Sequence, residues 1–390
     1  VKSFTGVEEG PMSMLWRDAM QLALYGPAGF FVSGAGPAAH FRTSVHASPV
    51  FASALLRLIH QLDAALDHPD PFDVVDVGAG RGELLDALSV GVASPESAEP
   101  SPAAPVPLAR RVRFTAVELA ARPADLPDRI TWTNDIPAGI TGLLLATEWL
   151  DNVPLDLATC TEDGWHHLLV DPTTGEETTG APVGQEDAAW LRAWWPGPAC
   201  VDPGAAAQAV PDGPSPAGSG ARAAPTDPTH RPERAEIGRT RDEAWADAVR
   251  HVDRGLVLAV DYGHLRGARP IGGSLTGYRD GRQVAPVPDG SCDITAHVAI
   301  DSVASAGERV ARCAYSLGSQ RDALRALGAD GGRPPLSLAG RDPVGYVRAL
   351  AEASAAAELT DSAGLGGHWW LWQPVGVHRR DRTFMARWRV

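Results

Sequence analysis

The sequence predicts an α/β fold on a mainly parallel sheet, with an N-terminal helical segment and an inserted β-hairpin and linker. Three observations carry this expectation. Strand-like and helix-like stretches alternate from residue 72 onward: strands at 72–77, 113–118, 130–133 and 143–147, with a helix at 82–90 after the first. The first strand runs into three alternating glycines, the signature of a strand-to-helix turn. A continuous apolar run, LVLAV at 256–260, then ends in Asp261, Tyr262 and Gly263, as a strand buried on both faces would.

Taken in order, residues 14–25 (MLWRDAMQLALY) carry apolar side chains at helical spacing, and GPAGFF stops that helix. A second helix is expected from Pro49 to Leu66. Val74, Val75 and Val77 suit a strand covered on both faces, and Glu83, Leu84, Leu85, Ala87 and Leu88 suit the helix that follows. After Pro154, LDLATC and WHHLLVD flank the polar TEDG and predict an antiparallel hairpin, placed as a substrate-facing flap. Residues 197–232 contain no aromatic side chain and are crowded with Pro, Ala, Gly and Ser, a composition that predicts a disordered linker; 91–107 form a shorter insertion of the same kind. The core resumes with a helix at 240–253. A strand is expected over RVARCAYSL (309–317), and HWWLWQ (368–373) with FMARWRV (384–390) predict a closing hairpin. The organisation expected is a helical segment over 1–70, a first core part over 71–154, an insertion over 155–239 and a second core part over 240–390.

Bulk properties narrow the function. The chain has 390 residues and a formal net charge of -14 without a basic cluster, which argues against a nucleic-acid track. Cys160, Cys200, Cys292 and Cys313 form no C-x-x-C pair, so no zinc site is encoded and free thiols are expected. No basic region followed by an apolar stretch opens the chain, and no run reaches the ~18 apolar residues of a membrane span. The expectation is a soluble, cytoplasmic protein.

The glycine spacing is Asp76-x-Gly78-x-Gly80-x-Gly82, not the G-x-G-x-x-G of a dinucleotide pyrophosphate site. It favours S-adenosylmethionine over NAD, although a ligand-free structural turn uses the same residues. In open α/β sheets ligands sit beyond the carboxyl ends of the strands, so strand-end residues are the candidates. Glu118 could accept hydrogen bonds from both ribose hydroxyls, or be a solvated acid. Asp135 could meet the adenine amino group and Trp132 stack on it, or the two could be a surface turn and a core aromatic. Glu148, Asp151 and Asn152 in ATEWLDNVP stand where a transferred group would emerge. Two carboxylates there could orient a guanidinium or act as base, or Asp151 could cap a helix. Asp261 and Tyr262 face the same rim.

Several motifs together resemble the MidA family of class I methyltransferases, which includes the arginine methyltransferase of mitochondrial complex I assembly. They are ALYGPAGFF (23–31), HFRTS (40–44), VDVGAGRGELL (75–85), AVEL (116–119), TEWLDNVP (147–154), AVDYGH (259–264), CDITAHV (292–298) and SQRDALRALG (319–328). The resemblance implies a Rossmann-like sheet and S-adenosylmethionine as methyl donor. It implies binding through Asp76, Gly78, Gly80, Gly82, Glu118, Asp135 and Thr43, and catalysis by Glu148, Asp151 and Tyr262 with no metal. The acceptor it implies is an arginine on a partner protein. A small-molecule acceptor, a noncatalytic cofactor-binding assembly factor and an NAD-dependent oxidoreductase are the rivals. The chain departs from the family pattern at His40, where a GDF triplet has Asp, at Thr147 for Asn, and at Asn152 for Ala.

Overall fold

The computed structural model describes residues 13–33, 49–93, 106–196, 234–329 and 331–377. Seven strands form the central sheet: β1 (Phe72–Val77), β2 (Val112–Val117), β3 (Ile130–Thr133), β4 (Ile140–Thr147), β5 (Val252–Asp261), β6 (Ser316–Ser319) and β7 (Trp369–Val375). Their order is β6-β7-β5-β4-β1-β2-β3. Strands β1 to β5 pair in parallel, and β7 runs antiparallel to both β5 and β6. The order reverses between β1 and β4, the switch point where open sheets of this class bind ligands. Register brings the strand ends into one row, since Val77 pairs with Val117 and Ala146, and Thr147 with Val260. Gly78, Glu118, Glu148 and Asp261 therefore begin a common rim.

The period-two alternation of each strand explains why the sheet is covered on both sides. Val74, Leu143, Leu145, Leu258, Trp370 and Trp372 point into one core, against α2 (Pro49–Ala65; α1 is Trp16–Tyr25) and α3 (Glu83–Ala93) through Leu55, Leu58, Ile59, Leu84 and Leu88. Val75, Val77, Leu144, Ala146, Val257, Ala259 and Leu371 point into the other. There α4 (Arg239–Arg250) contributes Trp245 and Val249, and α5 (Ile300–Ala311) contributes Val303 and Ala304.

The hairpin predicted after Pro154 is present as Asp156–Thr161 and Gly164–Val170, in register from Leu157 with Leu168 to Thr161 with Gly164. It belongs to a five-stranded second sheet with Arg234–Ile237, Glu177–Pro182 and Met14–Leu15. The last pair corrects the expected start of the first helix: Met14 and Leu15 are extended against Val170 and Leu169, and α1 begins at Trp16. Helix α1 packs Trp16, Met20 and Leu24 on Leu157 and Val170 of the hairpin.

Three other expectations are corrected. The strand expected over 309–317 is instead the end of α5 through Ala311, followed by β6 from Ser316, because Val310 and Ala311 continue a helical stripe packed on the second core. Trp369–Val375 lies inside the central sheet rather than in a closing hairpin, and 384–390 fall outside the described residues. Cys160 is disulfide-bonded rather than free, while Cys292 and Cys313 are free. The expected linker over 197–232, Cys200, His40 and Thr43 with its HFRTS motif also fall outside the described residues. Among the described residues no helix is long and apolar enough to cross a membrane.

Candidate active site

Beyond the rim, between the carboxyl ends of β1, β2 and β4, lies a cavity of about 680 Å³ lined by the glycine turn, Glu118, Asp135, Glu148, Asp151 and Asn152, with Tyr25 and Phe31 from the N-terminal segment. The three glycines of the turn all have positive φ (71°, 58° and 83°), yet each is required for a different reason. A Cβ on Gly78 would sit 2.9 Å from Trp149 Cδ1, and one on Gly82 2.7 Å from Leu126 Cδ1. Among the described residues, a Cβ on Gly80 would meet no atom nearer than Glu83 Oε2 at 3.9 Å. Gly78 and Gly82 are thus demanded by packing, whereas Gly80 borders open space.

Glu118 is held by the backbone around it. Its Oε2 accepts from Gly80 N at 3.0 Å, and its Oε1 from Leu119 N at 2.7 Å and Ala120 N at 3.1 Å. Burial, with the nearby Glu118 and Glu83 carboxylates, pushes Asp76 up to about 8. Asp135 is exposed at the cavity wall, its amide donating to Thr133 Oγ1 at 3.2 Å. Trp132 does not line the cavity: its indole donates to Ala120 O at 3.1 Å and its ring packs on the core, so the stacking expectation gives way to the core-aromatic one.

At the ends of β4 and β5 the polar groups form a denser network. Glu148 takes φ 50°, a left-handed conformation that costs a non-glycine residue of order 1 kcal/mol and is typical of functional strand ends. Its amide donates to Val260 O at 2.8 Å. Asp261, fully buried, does not open onto the cavity; its Oδ2 accepts from Leu150 N at 3.0 Å and Asp151 N at 3.2 Å, pinning the turn Leu150–Asn152. That turn, rather than a helix capped by Asp151, holds Asp151 against Thr295 Oγ1 at 2.6 Å and the Tyr262 hydroxyl, both donating to Oδ2. Its Oδ1 is buried and has no hydrogen-bond partner among the described residues. Tyr262 is therefore behind Asp151 and outside the cavity lining, its ring beside those of His297 and His368.

Asn152 donates Nδ2 to Asp293 Oδ1 at 2.7 Å and to Ile294 O at 3.2 Å, clamping the turn after β4 to the distant segment Asp293–Thr295. Burial raises the carboxyls of Asp151, Asp261 and Asp293 above the usual range, and the Asp151 charge adds to the rise in the other two. The buried cation among them, Arg241, is spent on backbone: it donates to Val153 O at 3.1 Å, Ala296 O at 2.9 Å, His297 O at 3.2 Å and Asp151 O. Sequence reasoning assigned no role to Tyr25, Arg241, Asp293, Thr295 or His368. Tyr25, Asp293 and Thr295 lay inside quoted motifs, while Arg241 and His368 carried no local signal. No group of three His, Cys, Asp or Glu among the described residues is arranged to hold a metal ion.

A family model described as "Putative S-adenosyl-L-methionine-dependent methyltransferase" matches residues 52–317. The chain belongs to this methyltransferase family. S-adenosylmethionine is accordingly its cofactor and methyl transfer its reaction class. No curated protein matches. Among solved structures, a Burkholderia thailandensis superfamily member bound to S-adenosyl-homocysteine shares the fold at TM-score 0.68 and 21% identity, over 94% of this chain and 89% of that one. An uncharacterized protein of the same superfamily and organism gives TM-score 0.65 at 20% identity, over 94% and 88% of the two chains.

Proposed function

We propose that this methyltransferase carries a methyl group from S-adenosylmethionine to the guanidinium of an arginine on a partner protein. The observation that carries the reading is the charge at the acceptor end of the cavity. Glu148 and Asp151 line it and Asp293 stands behind Asn152, while Arg241 is committed to carbonyls. Carboxyls raised by burial gain most from a cation that arrives already charged, and a guanidinium stays charged at every accessible pH. Asp151 Oδ1, without a hydrogen-bond partner among the described residues, is an acceptor suited to such a donor.

The donor half fits its cofactor. Open space at Gly80 admits close approach of a ligand to the turn, as a cradle that a Cβ would fill. We assign Asp76, Gly78, Gly80 and Gly82 to the methionine end, Glu118 to the ribose hydroxyls, and Asp135 to the adenine end. Glu118 has both oxygens oriented by amides and still has lone pairs to accept further donors. The cofactor supplies a methyl group on a sulfonium, which leaves by in-line displacement. The chain's contribution is then positioning and exclusion of water. Glu148 and Asp151 orient the acceptor, Tyr262 and Thr295 hold Asp151 in place, and Tyr25 and Phe31 wall the cavity from the N-terminal side.

Incubation with methyl-labelled cofactor in a cell lysate, followed by digestion and mass spectrometry, tests the acceptor. Label on arginine side chains is expected. Label confined to small molecules would move the activity to a metabolite, and cofactor binding with no label transferred anywhere would favour an assembly factor.

A further inference from the structure

The family match begins at residue 52, yet part of the cavity wall precedes it. Tyr25 closes α1 and Phe31 stands in the short helix Phe30–Ser33, and both line the cavity with Asp151 and Asn152. Gln21, four residues before Tyr25 and so on the same face of α1, lines it too. Another face of α1 is buried through Trp16, Met20 and Leu24. Its first turn is tied to the second sheet, because the Trp16 indole donates to Glu177 Oε1 at 2.7 Å and the Arg17 amide to Asp156 Oδ1 at 3.1 Å. Tyr25 is therefore presented from a fixed base.

The ring of Tyr25 is half-buried and held in two ways. Its hydroxyl donates to Asn152 O at 3.3 Å, and it stacks on Phe31 with centroids 5.6 Å apart and planes 29° apart. No second ring and no cation among the described residues stacks on it, which leaves its other face for the space it lines. Burial, followed by the charges of Asp293, Asp151 and Glu118, raises the phenol well above its usual range. The ring stays neutral while acids of both halves of the cavity act on it.

Carboxylates at the acceptor end attract a cation whatever its shape, so charge alone does not separate an arginine from a lysine. A flat aromatic face does. A guanidinium is planar and weakly hydrated and stacks on rings, whereas an ammonium is compact and holds its water. We infer that Tyr25 is the residue that selects arginine as acceptor: the guanidinium lies against its ring, Phe31 backs that ring, and the carboxylates hold the charge. The inference rests on the arginine reading above. The hydroxyl bond ties the ring to the turn Leu150–Asn152, which also carries Asp151, so the flat surface and the carboxyl keep a fixed separation.

The test uses the full chain and two acceptor probes, N-acetyl-arginine amide and N-acetyl-lysine amide. Affinity is read by calorimetry on protein loaded with S-adenosylhomocysteine, and turnover with S-adenosylmethionine by mass spectrometry. The wild-type protein should bind the arginine probe at least about tenfold more tightly than the lysine probe. Tyr25→Leu keeps apolar bulk without an aromatic face; the arginine-to-lysine affinity ratio should fall about tenfold toward one while affinity for S-adenosylhomocysteine stays within a few-fold. Tyr25→Phe, which loses only the hydroxyl, should retain most of the ratio. A purely structural role would lower stability and leave the ratio in place. An unchanged ratio in Tyr25→Leu, with the arginine probe still methylated, overturns the role of Tyr25 and leaves the arginine reading standing, and so does a wild-type ratio near one. If Tyr25→Leu does not fold, Tyr25→Met, whose unbranched chain fills irregular space, takes its place under the same criterion. A wild-type protein that binds S-adenosylhomocysteine but neither binds nor methylates the arginine probe overturns the arginine reading itself, and the seat with it.

Discussion

Gly80→Val separates the cofactor cradle from the fold more cleanly than any other change in the turn. Its backbone has φ 58°, where an L residue costs about 1–2 kcal/mol. No atom of the described residues would obstruct the new Cβ within 3.9 Å, so strain is the main penalty to folding, and the melting temperature should drop by about 2–5 °C. The valine methyl groups instead occupy space where the ligand meets the turn. Overfilling a packed contact costs about 1–3 kcal/mol, so affinity for S-adenosylhomocysteine should fall about ten- to hundredfold or further. Gly78→Ala provides the contrast, because its Cβ would lie 2.9 Å from Trp149 Cδ1 and should cost mainly stability. Isothermal titration on variants checked by circular dichroism reads both quantities. A folded Gly80→Val protein with wild-type affinity would refute the placement of the cofactor over this turn.

Glu148→Gln and Asp151→Asn should each lower methyl transfer about a hundredfold while S-adenosylhomocysteine affinity stays within a few-fold, as steady-state kinetics beside calorimetry will show; parallel loss of cofactor binding would make them donor-site groups. The folded Asp76 carboxyl, near 8 against an ordinary 3.8, keeps a proton that the unfolded chain has shed between those values, so its contribution to stability is full below about pH 4 and is lost progressively as pH rises toward 8. Asp76→Asn should therefore gain in melting temperature relative to wild type between about pH 5 and pH 8; a constant gap in fluorimetric melts across that range would contradict the shift. Arg241→Met should destabilise by at least about 3 kcal/mol in urea titrations, because it strands the buried carbonyls of Asp151, Val153, Ala296 and His297. A loss under about 1 kcal/mol would show that those carbonyls find other donors.

The parts of the fold legible in the sequence are those whose cause is local. The valines at 74, 75 and 77 alternate between two cores, so their pattern alone marks a doubly covered strand, and 72–77 are the bounds of β1. The same holds for 156–170, where a polar turn between two apolar runs leaves few options. Where the cause is distant, the pattern misleads. RVA at 309–311 is β-prone in isolation, and only the stripe begun at Ile300 makes it helical. Trp132 has the composition of a stacking residue, but a carbonyl twelve residues back claims its indole. That Glu118, Glu148 and Asp151 line the cavity could be anticipated because strand ends are visible; the place of His368 beside Tyr262 could not, because nothing near it reveals that the following strand returns to the rim.

The position of β7 also bears on how the molecule is made. In chain order it follows β6, but in the sheet it stands between β6 and β5. Until it arrives, β6 has no sheet partner and β5 presents an open edge with the apolar run LVLAV. A chain emerging from the ribosome can therefore complete β1, β2, β4 and the glycine turn well before it completes the acceptor side. During synthesis the cofactor would be the available ligand for the half-formed sheet, and the vulnerable interval for edge-to-edge aggregation ends only when Trp369–Val375 inserts.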